Sequence, residues 1–374
     1  MSGFGIRALR KVSEENKKIE NSIFVKHLVV GENNYAILSF LKLNKKYPGQ
    51  VKLISKNPFF KEDLIAEWDC TLSSFRSQEV AEAFTALNPR LEIFKTTNEV
   101  LFYKDTKFHK FGGRAKPHQL KENEIFFKTP NYNINLEAFF EGEDFDNMDE
   151  ILKEHQFNKI IANIEVTDPS DLVDQQNFKL ETGKSESLSC EKLYWCESPK
   201  KLLNLIQNKT HLNDSVYAFA AGINVDQAIA VHFKCNKQIF DKSSTVLLPQ
   251  SMTHEWGSFI LEFEAYNPET EAQNFKALMF VSEDDLQEED LAKKIKLMKR
   301  VIERVFPDFS KAEIDQTIRF SDEYYLSGIN DGLYYELKKA NVQFLGQSSP
   351  IDSEKSESFQ YMARAMYAIM KNDL

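Results

Sequence analysis

The most regular apolar pattern in the 374-residue chain begins at residue 27. His27-Leu28-Val29-Val30 is a short apolar run, Gly31-Glu32-Asn33-Asn34 breaks it, and Tyr35 to Tyr47 sets Ile37, Leu38, Leu41 and Leu43 along a helix. Pro48-Gly49 ends that helix, and Val51-Lys52-Leu53-Ile54 supplies a second short strand. Residues 27–56 therefore have the strand-turn-helix-strand order and the ~30-residue length of a βαβ crossover unit.

Upstream, residues 1–26 are polar and basic, with Ile6, Leu9 and Val12 loosely at helical spacing, and read as a frayed or packing extension. Downstream, the pattern predicts a helix from Gln78 to Leu87 and extended pieces at Leu91–Phe94 and Glu124–Phe127. The acidic tract Glu141–Glu150 reads as a solvated loop or helix start. Strands are expected at Lys159–Val166, Asn177–Glu181 and Lys192–Cys196, with a Gly183-Lys184 turn and a helix that Pro199 opens and Ile206 closes. Residues 216–281 offer several more strands, including Ala228–Cys235, Ser258–Tyr266 and Ala277–Val281. A charged amphipathic helix follows from Asp284 to Phe306, where Pro307 stops it. Val342–Gly346 reads as a strand and turn, and Ser353–Lys371 as a helix with Phe359, Met362, Met366 and Met370 on one face.

Composition narrows the function. The formal charge of −10, from 57 acidic against 47 basic residues, gives no basic excess for a phosphate backbone, so nucleic acid is not an expected partner. No apolar run reaches the ~20 residues of a membrane span, and no signal-peptide core precedes residue 27, so the reading is a cytoplasmic protein without a transmembrane segment. Cys70, Cys190, Cys196 and Cys235 form no CxxC pair, and the seven histidines include no HExxH or HxH, which leaves no metal signature. His109, His118, His211, His232 and His254 have no partner at fixed spacing and read as structural or exposed. Ser187-Leu188-Ser189 lacks a GxSxG elbow and gives hydrolase chemistry no support.

The order of these pieces resembles the flavin amine oxidase superfamily, including its phytoene-desaturase-like and protoporphyrinogen-oxidase-like members. Val29–Lys56 is similar to the βαβ unit that holds the ADP part of FAD in that family. Leu193–Leu203, an apolar strand followed by a proline and a helix, is similar to the segment that returns to the sheet. Gln343-Phe344-Leu345-Gly346-Gln347 and the helix after it match the strand-turn-helix that finishes the FAD site. The resemblance implies an α/β protein: a Rossmann-like FAD-oxidoreductase fold with a second, β-rich substrate-like domain. It implies a discontinuous FAD-type domain of residues 27–75, 150–215 and 335–374, and a substrate-like domain of 76–149 and 216–334.

Departures from the family pattern fall on the cofactor positions. The GxGxxG turn is Gly31-Glu32-Asn33-Asn34-Tyr35-Ala36: the first glycine stays and Ala36 is an allowed third position, but Asn33 adds a side chain and Glu32 a negative charge. Ser55-Lys56 replaces the acidic residue that binds ribose, and Pro58-Phe59-Phe60-Lys61 replaces the arginine-containing GG motif. At the C-terminal site Gly346 stays, while Gln347 takes an acidic position and Ser348-Ser349-Pro350 takes a glycine-rich one. The chain has only 13 glycines in 374 residues, about half the usual ~7%. A GGR string at Gly112-Gly113-Arg114 sits far behind the second strand and reads as a hairpin turn.

The expectation is a non-catalytic pseudoenzyme with no cofactor, serving as a binding or assembly module for a protein partner or an apolar small ligand. Rab GDP dissociation inhibitors and Rab escort proteins put this fold to such use. The alternative is an active FAD-dependent oxidoreductase acting on an amine or apolar substrate. The phenylalanines at 24, 40, 59, 60, 84, 126, 127, 139, 140, 219, 233, 259, 263 and 280 are read mainly as core, with a pocket-lining role open for some.

Overall fold

The computed structural model of the chain describes residues 22–55, 93–96, 99–110, 131–134, 157–165, 175–182, 187–206, 209, 212–248, 259–281, 287–351, 364–365 and 368–369. Two sheets organise most of them. The first contains β1 (Ser22–Val30), β2 (Val51–Ile54), β7 (Phe157–Glu165), β8 (Gln175–Thr182), β9 (Ser187–Trp195) and β15 (Val342–Phe344). β1 runs parallel to β2, with Val30 opposite Ile54, and parallel to β9, with Val30 opposite Trp195. The far edge of β9 pairs antiparallel with β8 over its first half and parallel with β15 over its last residues, where Phe344 lies opposite Trp195. β2, β1, β9 and β15 therefore end side by side.

Helices cover both faces of this parallel part, so the ends of β1 and β9, Leu28-Val29-Val30 and Leu193-Tyr194-Trp195, are apolar and buried. On one face Leu28, Val30, Leu193, Trp195 and Phe344 pack with Leu202 of α2 (Pro199–Leu205), Val216 and Phe219 of α3 (Asp214–Gly222) and Leu337 of α5 (Tyr334–Lys339). α1 (Asn34–Lys46) buries Ala36, Ile37 and Leu43 completely.

The second sheet has the order β14-β10-β13-β12-β11-β4-β5, from β4 (Glu99–Lys104), β5 (Lys107–Lys110), β10 (Asn224–Cys235), β11 (Ser244–Leu248), β12 (Phe259–Phe263), β13 (Gln273–Val281) and β14 (Ile314–Ser327). Only the β11–β4 pairing is parallel. β3 (Ile93–Thr96) and β6 (Asn131–Ile134) form a separate antiparallel pair. α4 (Glu288–Val305) lays Met298, Ile302 and Val305 on one face of the large sheet. Stacked rings fill that layer, with Phe263 and Phe233 centred 4.6 and 4.8 Å from Phe275. The aromatic excess is thus core at Phe40, Phe219, Phe233, Phe259 and Phe263, and half-buried at Phe280.

The structure corrects the pattern in four places. β1 begins at Ser22, because Ser22-Ile23-Phe24-Val25 continue the ladder to β9, Ser22 lying opposite Ser187. Phe24 is 67% exposed and not core: β2 joins β1 only from His27, so no second strand flanks it. Asp214–Gly222 is a helix, capped by Asn213, whose Oδ1 accepts from the Ser215 N–H at 2.9 Å. The 14-residue β14 is also not expected from the pattern, its apolar residues being interrupted by Asp315, Arg319, Asp322 and Glu323. The expected helix at 78–87, the strand at 124–127, the acidic tract, the Gly183-Lys184 turn, the GGR string and the Met-rich face after 353 lie outside the described residues. Among the described residues no helix is long and apolar enough to cross a membrane.

Candidate functional site at the strand ends

Gly31 and Cys196 follow directly from β1 and β9, and Leu345 from β15, so the parallel ladder carries on one residue into each loop. Cys196 N–H donates to Val30 O at 2.8 Å, Gly31 N–H to Ile54 O at 3.1 Å and Leu345 N–H to Trp195 O at 2.8 Å. Three chain segments remote in sequence thereby meet at Gly31–Ala36, Cys196–Ser198 and Gly346–Ser349. Gly346 closes this group, since a Cβ on it would lie 3.4 Å from Cys196 O and 3.6 Å from the Tyr35 ring.

Asn33 organises the first turn. Its extended backbone makes it the N-cap of α1, with Oδ1 accepting from the Ala36 N–H at 3.0 Å. Its Nδ2 donates to Cys196 O at 2.8 Å and to Glu197 Oε1 at 3.0 Å. The same Glu197 oxygen accepts from the Glu32 backbone N–H at 2.8 Å. Glu197 also pairs with Lys201 at 3.5 Å, and Lys201 reaches Glu323 on β14 at 3.0 Å. Ser198 holds this loop in place: its hydroxyl caps α2 at Lys200 N–H, 3.2 Å, and its carbonyl accepts from Trp195 Nε1 at 2.9 Å.

Asn34, Ala36 and Ser55 are buried around the turn. Lys56 lies outside the described residues. In the third segment Ser348 is buried, and Gln347 is half-buried, its Oε1 enclosed with no hydrogen-bond partner among the described residues. Gly346 N–H donates to Ser349 Oγ at 2.7 Å, and Ser349 N–H returns to Gly346 O at 3.0 Å. Arg364 clamps this turn from the C-terminal helix. It donates to both oxygens of Asp331, at 2.6 and 3.0 Å, and to Ser349 O at 3.0 Å, while Ile351 N–H donates to Asp331 at 2.9 Å.

Within the sequence Glu197 stands only as part of a strand-proline-helix motif, with no role of its own. The signal was a carboxylate placed directly after a strand that ends beside the glycine turn. His27 was read simply as part of an apolar run, yet it is a buried polar centre. Its Nδ1 lies 3.2 Å from the Tyr194 hydroxyl, and its ring stacks on Tyr47 at 4.3 Å. Burial lowers the His27 pKa, the nearby Lys192 and Lys26 add to the effect, and Glu191 opposes it. Burial also pushes the thiols of Cys190 and Cys235 up to about 12 and that of Cys196 higher still, so all three are poor nucleophiles. His109, on the β4–β5 hairpin, has its Nε2 3.2 Å from Lys104 O, whereas His118, His211 and His254 lie outside the described residues. Among the described residues no group of three His, Cys, Asp or Glu side chains converges as a metal site.

A parallel sheet with its strand ends gathered over a glycine turn, joined to a separate antiparallel sheet backed by a helix, is the amine-oxidase-like, FAD-oxidoreductase α/β fold. Three solved structures share it. A wild-type putrescine oxidase bound to putrescine superposes with a TM-score of 0.57 at 9% identity, over 94% of this chain and 98% of its own. Cyclohexylamine oxidase from Brevibacterium oxydans IH-35A gives 0.54 at 10% identity, over 93% and 97%. An oxidoreductase from Methanosarcina mazei gives 0.58 at 10% identity, over 92% and 99%. At these identities the likeness is one of fold. No family model and no curated protein matches the sequence.

Proposed function

We propose that this chain is a non-catalytic protein of the amine-oxidase-like fold that carries no FAD and serves as a binding or assembly module for a protein partner or an apolar small ligand in the cytoplasm. The observation that carries the reading is the state of the glycine turn. A diphosphate needs bare backbone to approach and N–H donors to receive it. Here the Glu32 N–H is taken by the Glu197 carboxylate and the Ala36 N–H by the Asn33 side chain. A bound phosphate would also face the carboxylate's negative charge at close range. These residues do not fit the diphosphate of a dinucleotide. The reading keeps the division of the chain into a discontinuous domain of 27–75, 150–215 and 335–374 and a second domain of 76–149 and 216–334.

Purified protein is expected to be colourless, with no flavin band and no rise in melting temperature on adding FAD. A yellow preparation with stoichiometric FAD overturns the proposal. That result would favour a second reading, an FAD-dependent oxidoreductase acting on an amine or apolar substrate. Its support is the near full-length fold match to putrescine oxidase and cyclohexylamine oxidase.

A further inference from the structure

The Glu197 carboxylate does more than cap a loop. Its Oε1 sits 2.8 Å from the Glu32 N–H and 3.0 Å from Asn33 Nδ2, and a Cβ on Gly31 would lie 3.2 Å from it. Its Oε2 faces Lys201. An anionic oxygen held by a backbone N–H and an amide at the start of a 13-residue helix, with a lysine behind it, has the surroundings that a phosphoryl oxygen takes at a helix N-terminus. Here the anion belongs to the chain. The lysine is itself tied down, because Lys201 also reaches Glu323 of β14 at 3.0 Å. The Glu197 and Glu323 side chains are 14% and 16% exposed, while Lys201 between them is 36% exposed.

We propose that Glu197 is the built-in occupant of the glycine turn: an internal carboxylate seated on the turn's donors that closes the crevice to phosphate-bearing ligands, with Lys201 linking it to the edge of the second sheet. This inference rests on the FAD-free reading above and names the residue that enforces it. It confines ligands of the crevice to molecules without a phosphoryl group.

The test titrates the full-length protein with inorganic pyrophosphate and with ADP, comparing wild type, Glu197→Ala, Glu197→Gln and Glu197→Ala combined with Lys201→Met. Wild type is expected to bind both only weakly. Glu197→Ala frees the donors and leaves the lysine uncompensated on that side, so it should bind pyrophosphate about tenfold or more tighter than wild type, the scale of one charge-assisted hydrogen bond. The gain should disappear in the double variant. Glu197→Gln, which keeps the shape and an acceptor but not the charge, should gain less than Glu197→Ala and guards against a folding defect in the smaller variant. If both single variants melt as cooperatively as wild type and stay indifferent to pyrophosphate, the inference falls while an FAD-free wild type leaves the functional reading standing. An FAD complex of the wild type overturns the functional reading directly, before any variant is made.

Discussion

A Cβ built on Gly31 would lie 2.9 Å from the Ala36 Cβ and 3.0 Å from the Cys196 Cβ. Neither neighbour has a flexible tip that can retreat, so Gly31→Ala should cost about 1–3 kcal/mol through overpacking, measurable as a lower urea midpoint. Gly346 differs only in its room, since its nearest contacts are ordinary. Both glycines hold a positive φ, 158° at Gly31 and 151° at Gly346, and Gly31 is short of space as well. His27 gives a pH signature. Its folded pKa lies below the usual value of about 6.5, so the unfolded chain takes up a proton that the native state resists. The stability from the neutral ring is complete above that value and declines as pH falls from there toward the folded pKa. Urea unfolding between neutral and mildly acidic pH should show that loss, and His27→Phe, which can still stack on Tyr47, should flatten it. An unchanged pH slope in the variant would assign the dependence to other groups.

Among the elements, α1 depends most on one side chain. Asn33 caps the helix, bonds to the β9 loop through Cys196 O and supports Glu197. Asn33→Ala should lower stability by about 1–2 kcal/mol, the upper part of the range for a lost N-cap, read from thermal or urea unfolding. Replacing Asn33 by Gly and Glu32 by Ala restores the glycine pattern but leaves Glu197 in place, so FAD titration of that double variant should still show no binding. The βαβ unit was legible because its apolar runs, cap and Pro48-Gly49 stop are all local signals. α3 is equally local, with Asn213 as cap and Val216, Phe219 and Ala220 buried at helical spacing, yet no helix is expected there from the strand-rich pattern around it. β14 was not legible. It pairs along β10 through Asp315, Gln316 and Arg319, so its extended form is imposed by the neighbouring strand and not by its own sequence.

At the scale of the whole molecule, the order of segments gave the fold, while the contents of the site came only from seeing which loops meet. Glu197 is 164 positions from Asn33, and no local pattern announces a contact over that distance. The Asp331–Arg364 pair is the corresponding staple at the other end of the chain, with side chains 13% and 9% exposed. Arg364→Leu leaves a largely buried carboxylate without its cation and should cost about 3–5 kcal/mol, seen as a fall in melting temperature. The pairing of β1 with β9 has a consequence for synthesis. His27 and Tyr194 touch across 167 positions, and β15 joins β9 only near the end of the chain. On the ribosome, β1 can pair early with β2 on one edge, but its other edge waits for β9, and β9 in turn waits for residues 342–344. The β9-facing edge of β1 therefore stays unpaired while about 160 further residues are made, and an unpaired edge of that kind favours aggregation.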